Sequence, residues 1–170
     1  RAEDGRGPRT QLAGMVAAYF GRESAVAVAT GLHLGTVDRG RMHEIVPLLF
    51  RAVDEGDDIA STIARQQADE IALLVTNTLR RLALLDEPVD VVLGGGMLTS
   101  RHPALLAPVI EAVVAAAPHA AIEIVDAEPV LGSALLGLEH LDALHGRSGS
   151  PTERRQNLRA VLATSQGVRT

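Results

Sequence analysis

The residues best placed to do chemistry are Leu93-Gly94-Gly95-Gly96-Met97-Leu98-Thr99-Ser100. They follow a short β-branched run, Val89-Asp90-Val91-Val92-Leu93, and precede a helical pattern over Ala104–Ala117. Ligands of open α/β folds lie beyond the C-terminal ends of strands, and glycine there lets a flat or charged group approach the backbone. Ser100 would add a hydroxyl at the mouth. The same residues also suit a tight strand-to-helix connection that binds nothing, and composition alone leaves both readings open. A dinucleotide fingerprint is excluded, because Met97, Leu98 and Thr99 follow where the pattern needs its third glycine. A second run, Pro129-Val130-Leu131-Gly132-Ser133-Ala134-Leu135-Leu136-Gly137, places small residues on one helix side, as close packing requires.

Other residue types point away from catalysis within this chain. The histidines His33, His43, His102, His119, His140 and His145 are scattered, with no HExxH and no metal-ligand spacing, so they read as surface residues. No serine lies in a GxSxG context. Asp57-Asp58 reads as a charge at a helix start rather than a metal site. No residue stands out as a general base.

Composition narrows the field further. The chain has 170 residues, 46% hydrophobic and only 2% aromatic, so its core is built from Ala, Leu, Val and Ile. Net charge is −5, which argues against a nucleic-acid surface. Cysteine is absent, which removes disulfides, thiolate metal sites and cysteine nucleophiles. All 16 basic residues are arginine, so neither a P-loop lysine nor a Schiff-base lysine is available. No apolar run reaches the roughly 20 residues of a membrane span, and the start is no signal peptide. A cytoplasmic location is the expectation.

The elements that must position the glycines follow from period and punctuation. Thr10 caps a short helix running through Phe20, and Gly21 stops it. Residues 24–36 are apolar but hold Gly31 and Gly35, and their period assigns no element. Arg41–Val53 is helical, with Pro47 in its first turns and Ile45, Leu48, Leu49 and Val53 on one stripe. Glu55-Gly56-Asp57-Asp58 breaks it and begins a long helix. Ile59, Ile63, Ala64, Ala68, Ile71, Leu74, Val75, Thr78, Leu79 and Leu82 form its apolar face. Val89–Leu93 reads as a buried strand, Ile122–Val125 as a second, and Val130–Leu144 as a closing helix. Strand, helix, strand, helix makes a parallel βαβα unit. Two strands alone are marginal, so the chain reads as the later part of a larger α/β fold. Residues 1–145 are expected to form one lobe, and 146–170 a polar, weakly helical or disordered tail.

Taken in order, these segments resemble the C-terminal half of the N-acetylglucosamine kinase family, with the related BadF/BadG-type ATPases. That family belongs to the sugar kinase, Hsp70 and actin superfamily. Asp4-Gly5-Arg6-Gly7-Pro8-Arg9-Thr10 resembles the segment after its phosphate-binding hairpin. Gly56-Asp57-Asp58-Ile59-Ala60 is similar to a recurrent helix opening. Val91-Val92-Leu93-Gly94-Gly95-Gly96-Met97-Leu98 resembles its adenosine motif, and Pro129–Leu136 the start of its last helix. The likeness covers about residues 1–144.

The resemblance implies the helix-rich C-terminal lobe of an actin-like (ribonuclease H-like) ATPase fold. It implies that Gly94, Gly95 and Gly96 approach the adenosine of ATP, that Ser100 hydrogen-bonds nearby, and that Arg41-Met42-His43 lies near the base. Mg²⁺ would be held through the nucleotide phosphates, not by this chain. The complete enzyme, a homodimer by the same likeness, would phosphorylate an amino sugar, N-acetylglucosamine first. The family's Asp-Gly-Gly-Gly-Thr phosphate loop, second phosphate motif and catalytic aspartate are not found in this sequence. A BadF/BadG-type lobe, or a non-catalytic nucleotide-sensing or interaction module, is therefore the alternative.

Overall fold

In the computed structural model the described residues are 2–125 and 129–145. The chain divides into two units, 1–125 and 126–170. The expected tail, 146–170, and the Asp126–Glu128 stretch lie outside the described residues.

Four helices of the first unit, those beginning at Gln11, Ala25, Asp58 and Pro103, start where a side chain meets free N–H groups, whereas the one beginning at Ile45 continues from a 3₁₀ turn without a side-chain cap. For α1 (Gln11–Tyr19) that side chain is Thr10, whose hydroxyl accepts from Leu12 N–H at 3.1 Å. The unassigned stretch is a helix, α2 (Ala25–Leu34), doubly capped. Ser24 Oγ accepts from Ala27 N–H, while the two oxygens of Glu3 accept from Ala25 and Val26 N–H. Its two glycines are explained by different needs. Gly35 ends the helix at φ +76°, and a Cβ at Gly31 would stand 2.7 Å from Val37 Cγ2, where the loop folds back. A 3₁₀ turn, Arg39–Glu44, leads into α3 (Ile45–Asp54), so the expected single helix from Arg41 is two segments.

The long helix α4 (Asp58–Arg81) is capped by Asp57, and this carboxylate has a second duty. Oδ1 accepts from Ala60 N–H at 2.8 Å, while Oδ2 accepts from the Thr10 hydroxyl at 2.8 Å and Gln11 N–H at 2.7 Å. One buried side chain therefore serves the N-termini of both α1 and α4. Burial works to raise its pKa, but the hydrogen bonds from Ala60, Thr10 and Gln11 outweigh it and hold the carboxyl below its ordinary value.

The buried line of α4 differs from the expected stripe. Ala60, Ala64, Ala68 and Ala72, spaced four apart, and then Leu79 are buried, whereas Leu74 is 69% exposed and Leu82 62%. Methyl groups let α4 lie close to its neighbours, and the larger side chains are left on the flanks. Leu105, Val109 and Val113 of α5 (Pro103–Ala116) join Ala64, Ala68 and Phe50 in the main core. Phe50 is its only aromatic side chain.

The strands β1 (Val89–Leu93) and β2 (Ala120–Ile124) pair in parallel, in register from Val89 with Ala120 to Leu93 with Ile124. β2 starts two residues earlier than periodicity suggested, because Ala120 and Ala121 carry little pattern. Val91 and Leu93 point into the core, but Val92 is 58% exposed and Asp90 is exposed as well. The expected buried strand is thus covered on one face only. This is an α/β architecture with a two-stranded parallel sheet among the described residues. The second unit contributes α6 (Pro129–His145). A Cβ at Gly132 or Gly137 would meet no atom within 4 Å, so the described residues do not demand small side chains there.

Two outcomes check this packing. Ala68→Leu is expected to cost about 2 kcal/mol or more by overfilling a closed seam, while Leu74→Ala stays within about 0.5 kcal/mol, both read by urea denaturation. Asp57→Asn is expected to cost about 2 kcal/mol at neutral pH, since an amide cannot accept on both sides. The lowered carboxyl gives stability that is complete above about pH 5 and fades as pH falls through about 3.9 and below. The difference in urea midpoint between wild type and Asp57→Asn therefore shrinks with acidification; a constant difference would show that the carboxylate charge contributes nothing.

Candidate functional site

The glycine run expected to form a site lies at the C-terminal end of β1. After Leu93, whose carbonyl accepts from Val125 N–H at 3.0 Å, the chain leaves the sheet through Gly94, Gly95 and Gly96, all exposed. The turn is closed from its far side. Thr99 N–H donates to Gly95 O at 3.0 Å, and the Thr99 hydroxyl donates to Gly96 O at 3.1 Å. The 3₁₀ turn Leu98–Ser100 follows, ending at Arg101 with φ +54°.

The three glycines answer to different constraints. Gly95 sits at φ +105°, a backbone conformation that side chains resist. A Cβ on Gly94 would touch Val125 Cγ2 at 3.4 Å, an ordinary contact. Gly96 has neither constraint: its φ is unremarkable and a Cβ there would meet nothing within 4 Å. Among the described residues no hydrogen bond is donated by the N–H of Gly94, Gly95 or Gly96. The three glycines thus expose backbone at this strand end.

Ser100 lies in the same loop, but its hydroxyl turns inward and donates to Met97 O at 2.6 Å. His43 lies elsewhere, on the 3₁₀ turn before α3, with Nδ1 2.6 Å from Gly40 O. No hydrogen bond joins it to the glycine turn. Beside it, Arg41 pairs with Glu44 and lies over the ring of Phe20 at 4.8 Å. That hydrogen bond from Arg41 holds the Glu44 carboxyl below its ordinary value.

No protein-family model, curated protein or solved structure matches this chain. The site is therefore read from its own geometry.

His102 was expected at the surface, and the structure corrects this: its side chain is 14% exposed. The ring stacks on Phe50, centroids 4.3 Å apart, and its Nδ1 caps α5 by accepting from Ala104 N–H at 3.2 Å. The signal was present, because a proline at the first helical position makes the residue before it the cap. Arg101 was missed too; its guanidinium donates to Ile124 O at 3.2 Å and ties the turn to the end of β2.

A cleft of about 700 Å³ opens away from the turn, among residues 2–8, α1, α2 and the start of α4. Leu12, Val16, Val26, Ile59 and Ile63 make it apolar, while its charged residues Glu3 and Arg6 are engaged with α2 and Asp4. Among the described residues no group of three or more His, Asp or Glu is arranged to hold a metal, and no helix is long and apolar enough to cross a membrane.

Backbone strain separates the glycines experimentally. Gly95→Ala is expected to lower stability by about 1 kcal/mol or more because of its positive φ, while Gly96→Ala leaves the urea midpoint unchanged or slightly raised, by up to about 1 kcal/mol. Equal losses at both positions would show that Gly96 is held by packing.

Proposed function

We propose that this chain is the adenosine-binding C-terminal half of an ATP-dependent amino-sugar kinase with an actin-like lobe. One observation carries the reading: Gly96 is a glycine for which neither backbone geometry nor any neighbouring atom gives a reason. An absent side chain at the open end of a parallel strand pair is what close approach of a planar ligand needs. The ordered motifs from Asp4 to Leu136 supply the class of ligand, since they resemble the N-acetylglucosamine kinase and BadF/BadG-type family.

In this reading the ribose and adenine lie along Gly94–Gly96, with the free N–H groups directed at ligand acceptors. Ser100 supports the loop through Met97 rather than reaching outward. The resemblance alone would put His43 near the base; beside it Arg41 is already engaged with Phe20 and Glu44. Mg²⁺ would arrive on the nucleotide phosphates. In the complete homodimeric enzyme the bond between the γ-phosphorus and its bridging oxygen breaks as one forms to a sugar hydroxyl oxygen, with ADP leaving. The groups that position that phosphate and take the hydroxyl proton lie in the family's other half.

Isothermal titration of the chain with ATP and ADP is the test. Wild type is expected to bind both, and Gly96→Val to weaken binding at least about tenfold, roughly 1.4 kcal/mol, with an unchanged urea midpoint. Absence of nucleotide binding by wild type, or unchanged affinity in the variant, would overturn the assignment.

A further inference from the structure

We infer that the outer edge of β1, with the flank of α4 beside it, docks a second copy of this chain, the two sheets joining through antiparallel β1 strands. This surface is separate from the glycine turn, and the inference does not rest on the nucleotide reading.

The strand register defines that edge. Leu93 O accepts from Val125 N–H at 3.0 Å, in a parallel pairing that sets Leu93 beside Ile124. Backbone groups alternate sides along a strand, so Val89, Val91 and Leu93 turn theirs to β2, while Asp90 and Val92 turn theirs to the opposite edge. The two edges of the sheet differ. On the outer edge of β2 the Ile124 carbonyl is taken by the Arg101 guanidinium at 3.2 Å. On the edge of β1 a groove of about 360 Å³ opens instead, between Val89, Asp90 and Val91 and the α4 side chains Leu74, Thr78 and Leu82, and no residue of β2 lines it. A ladder edge with an apolar groove beside it suits strand addition, where backbone bonds join the sheets and alternate side chains fill the groove.

The charges beside the groove select a copy of the chain itself. Glu70, Leu74, Thr78 and Arg81 share one stripe of α4, because eleven residues make about three turns. All four are exposed, and among the described residues Glu70 and Arg81 take part in no hydrogen bond or ion pair. An acid and a base thus stand at opposite ends of the same exposed stretch. A twofold axis through Val91, normal to the sheet, runs both β1 strands and both α4 helices antiparallel. Glu70 of each copy then faces Arg81 of the partner subunit, with the two Leu74 side chains between these pairs. In the strands Asp90 meets Val92 of the partner subunit rather than a second aspartate, and each such pair exchanges two backbone hydrogen bonds. Pro88 has no N–H and ends the ladder. The twofold uses one edge per copy, so association closes at the dimer.

Sedimentation velocity of the 170-residue chain, diluted in steps from about 100 μM, is the test. Wild type is expected to sediment as a dimer at the upper end. The Val92 N–H faces away from β2, so Val92→Pro costs the sheet of one copy no bond while removing a donor from the docking edge. It is expected to weaken association at least about tenfold with unchanged helical circular dichroism. Glu70→Arg sets like charges against each other across the interface and weakens association about fivefold, and adding Arg81→Glu restores it. Three helical turns separate the two positions within one copy, so that recovery reads a contact between copies. A monomeric wild type would overturn the inference and leave the edge to a strand of a different polypeptide. Association unchanged by Val92→Pro, or a double variant as weak as Glu70→Arg, would overturn it too. Should Val92→Pro not fold, the charge exchange, made on exposed side chains, decides alone. ADP binding by a monomer would remove the interface and keep the nucleotide reading; a dimer that binds no ADP would do the reverse.

Discussion

The first unit depends on one carboxylate shared between two helix starts. A helix N-terminus leaves N–H groups without partners and carries partial positive charge, so a single anion placed between two such ends serves both. Asp57, only 7% exposed, takes the donors of Ala60, Thr10 and Gln11. This fixes where α1 begins relative to α4, although 46 residues separate Gln11 from Asp57 in sequence. The closeness lets Leu12 and Met15 reach the second cluster of buried residues, Leu49, Ala52 and Ala60. Apolar contacts alone would tolerate sliding; a carboxylate with directed bonds does not.

From that anchor the alanines of α4 set how the sheet is carried. A seam of methyl groups allows close approach to α5, and α5 in turn lies against the inward face of β1 and β2 through Leu105, Val109 and Val113. With the core on one face, Val92 is left exposed on the other. The glycine turn is exposed although it follows the buried Leu93, because the chain leaves the sheet there. Exposed backbone groups cost little there, since water can meet them.

Much of this was legible, and what was not has physical causes. The caps at Thr10 and Asp57, the strand at Val89–Leu93 and the glycine turn carry local chemistry that needs no tertiary information. The apolar face of α4 was drawn too wide: Ala64, Ala68 and Leu79 are buried as read, but Ile63, Leu74 and Leu82 are exposed, because only the neighbouring helices decide which part of the face closes. The helix Ala25–Leu34 was obscured by Gly31, whose reason is Val37 six residues later. Of the candidate site, the glycines and Ser100 were placed in one loop by sequence alone. The inward turn of the Ser100 hydroxyl was not, since it depends on a carbonyl three residues back in a 3₁₀ turn.

His102 shows why side-chain chemistry near such a site is hard to find from spacing. A turn built of main-chain groups contains no distinctive side chain, so what orders it lies in the residues around it. That support comes from a helix distant in sequence: Phe50 and Asp54 lie 52 and 48 residues before the imidazole they flank. The i, i+4 spacing of Phe50 and Asp54 puts stacking and hydrogen bonding on one face of α3, matching the face and edge of an imidazole. Neither contact alone would define the ring: stacking leaves it free to spin in its plane, and a single hydrogen bond leaves it free to tilt. Together with Ala104 N–H they leave one orientation. A loop with glycines at three successive positions has little stiffness of its own, so its order is supplied through Arg101, His102 and Thr99.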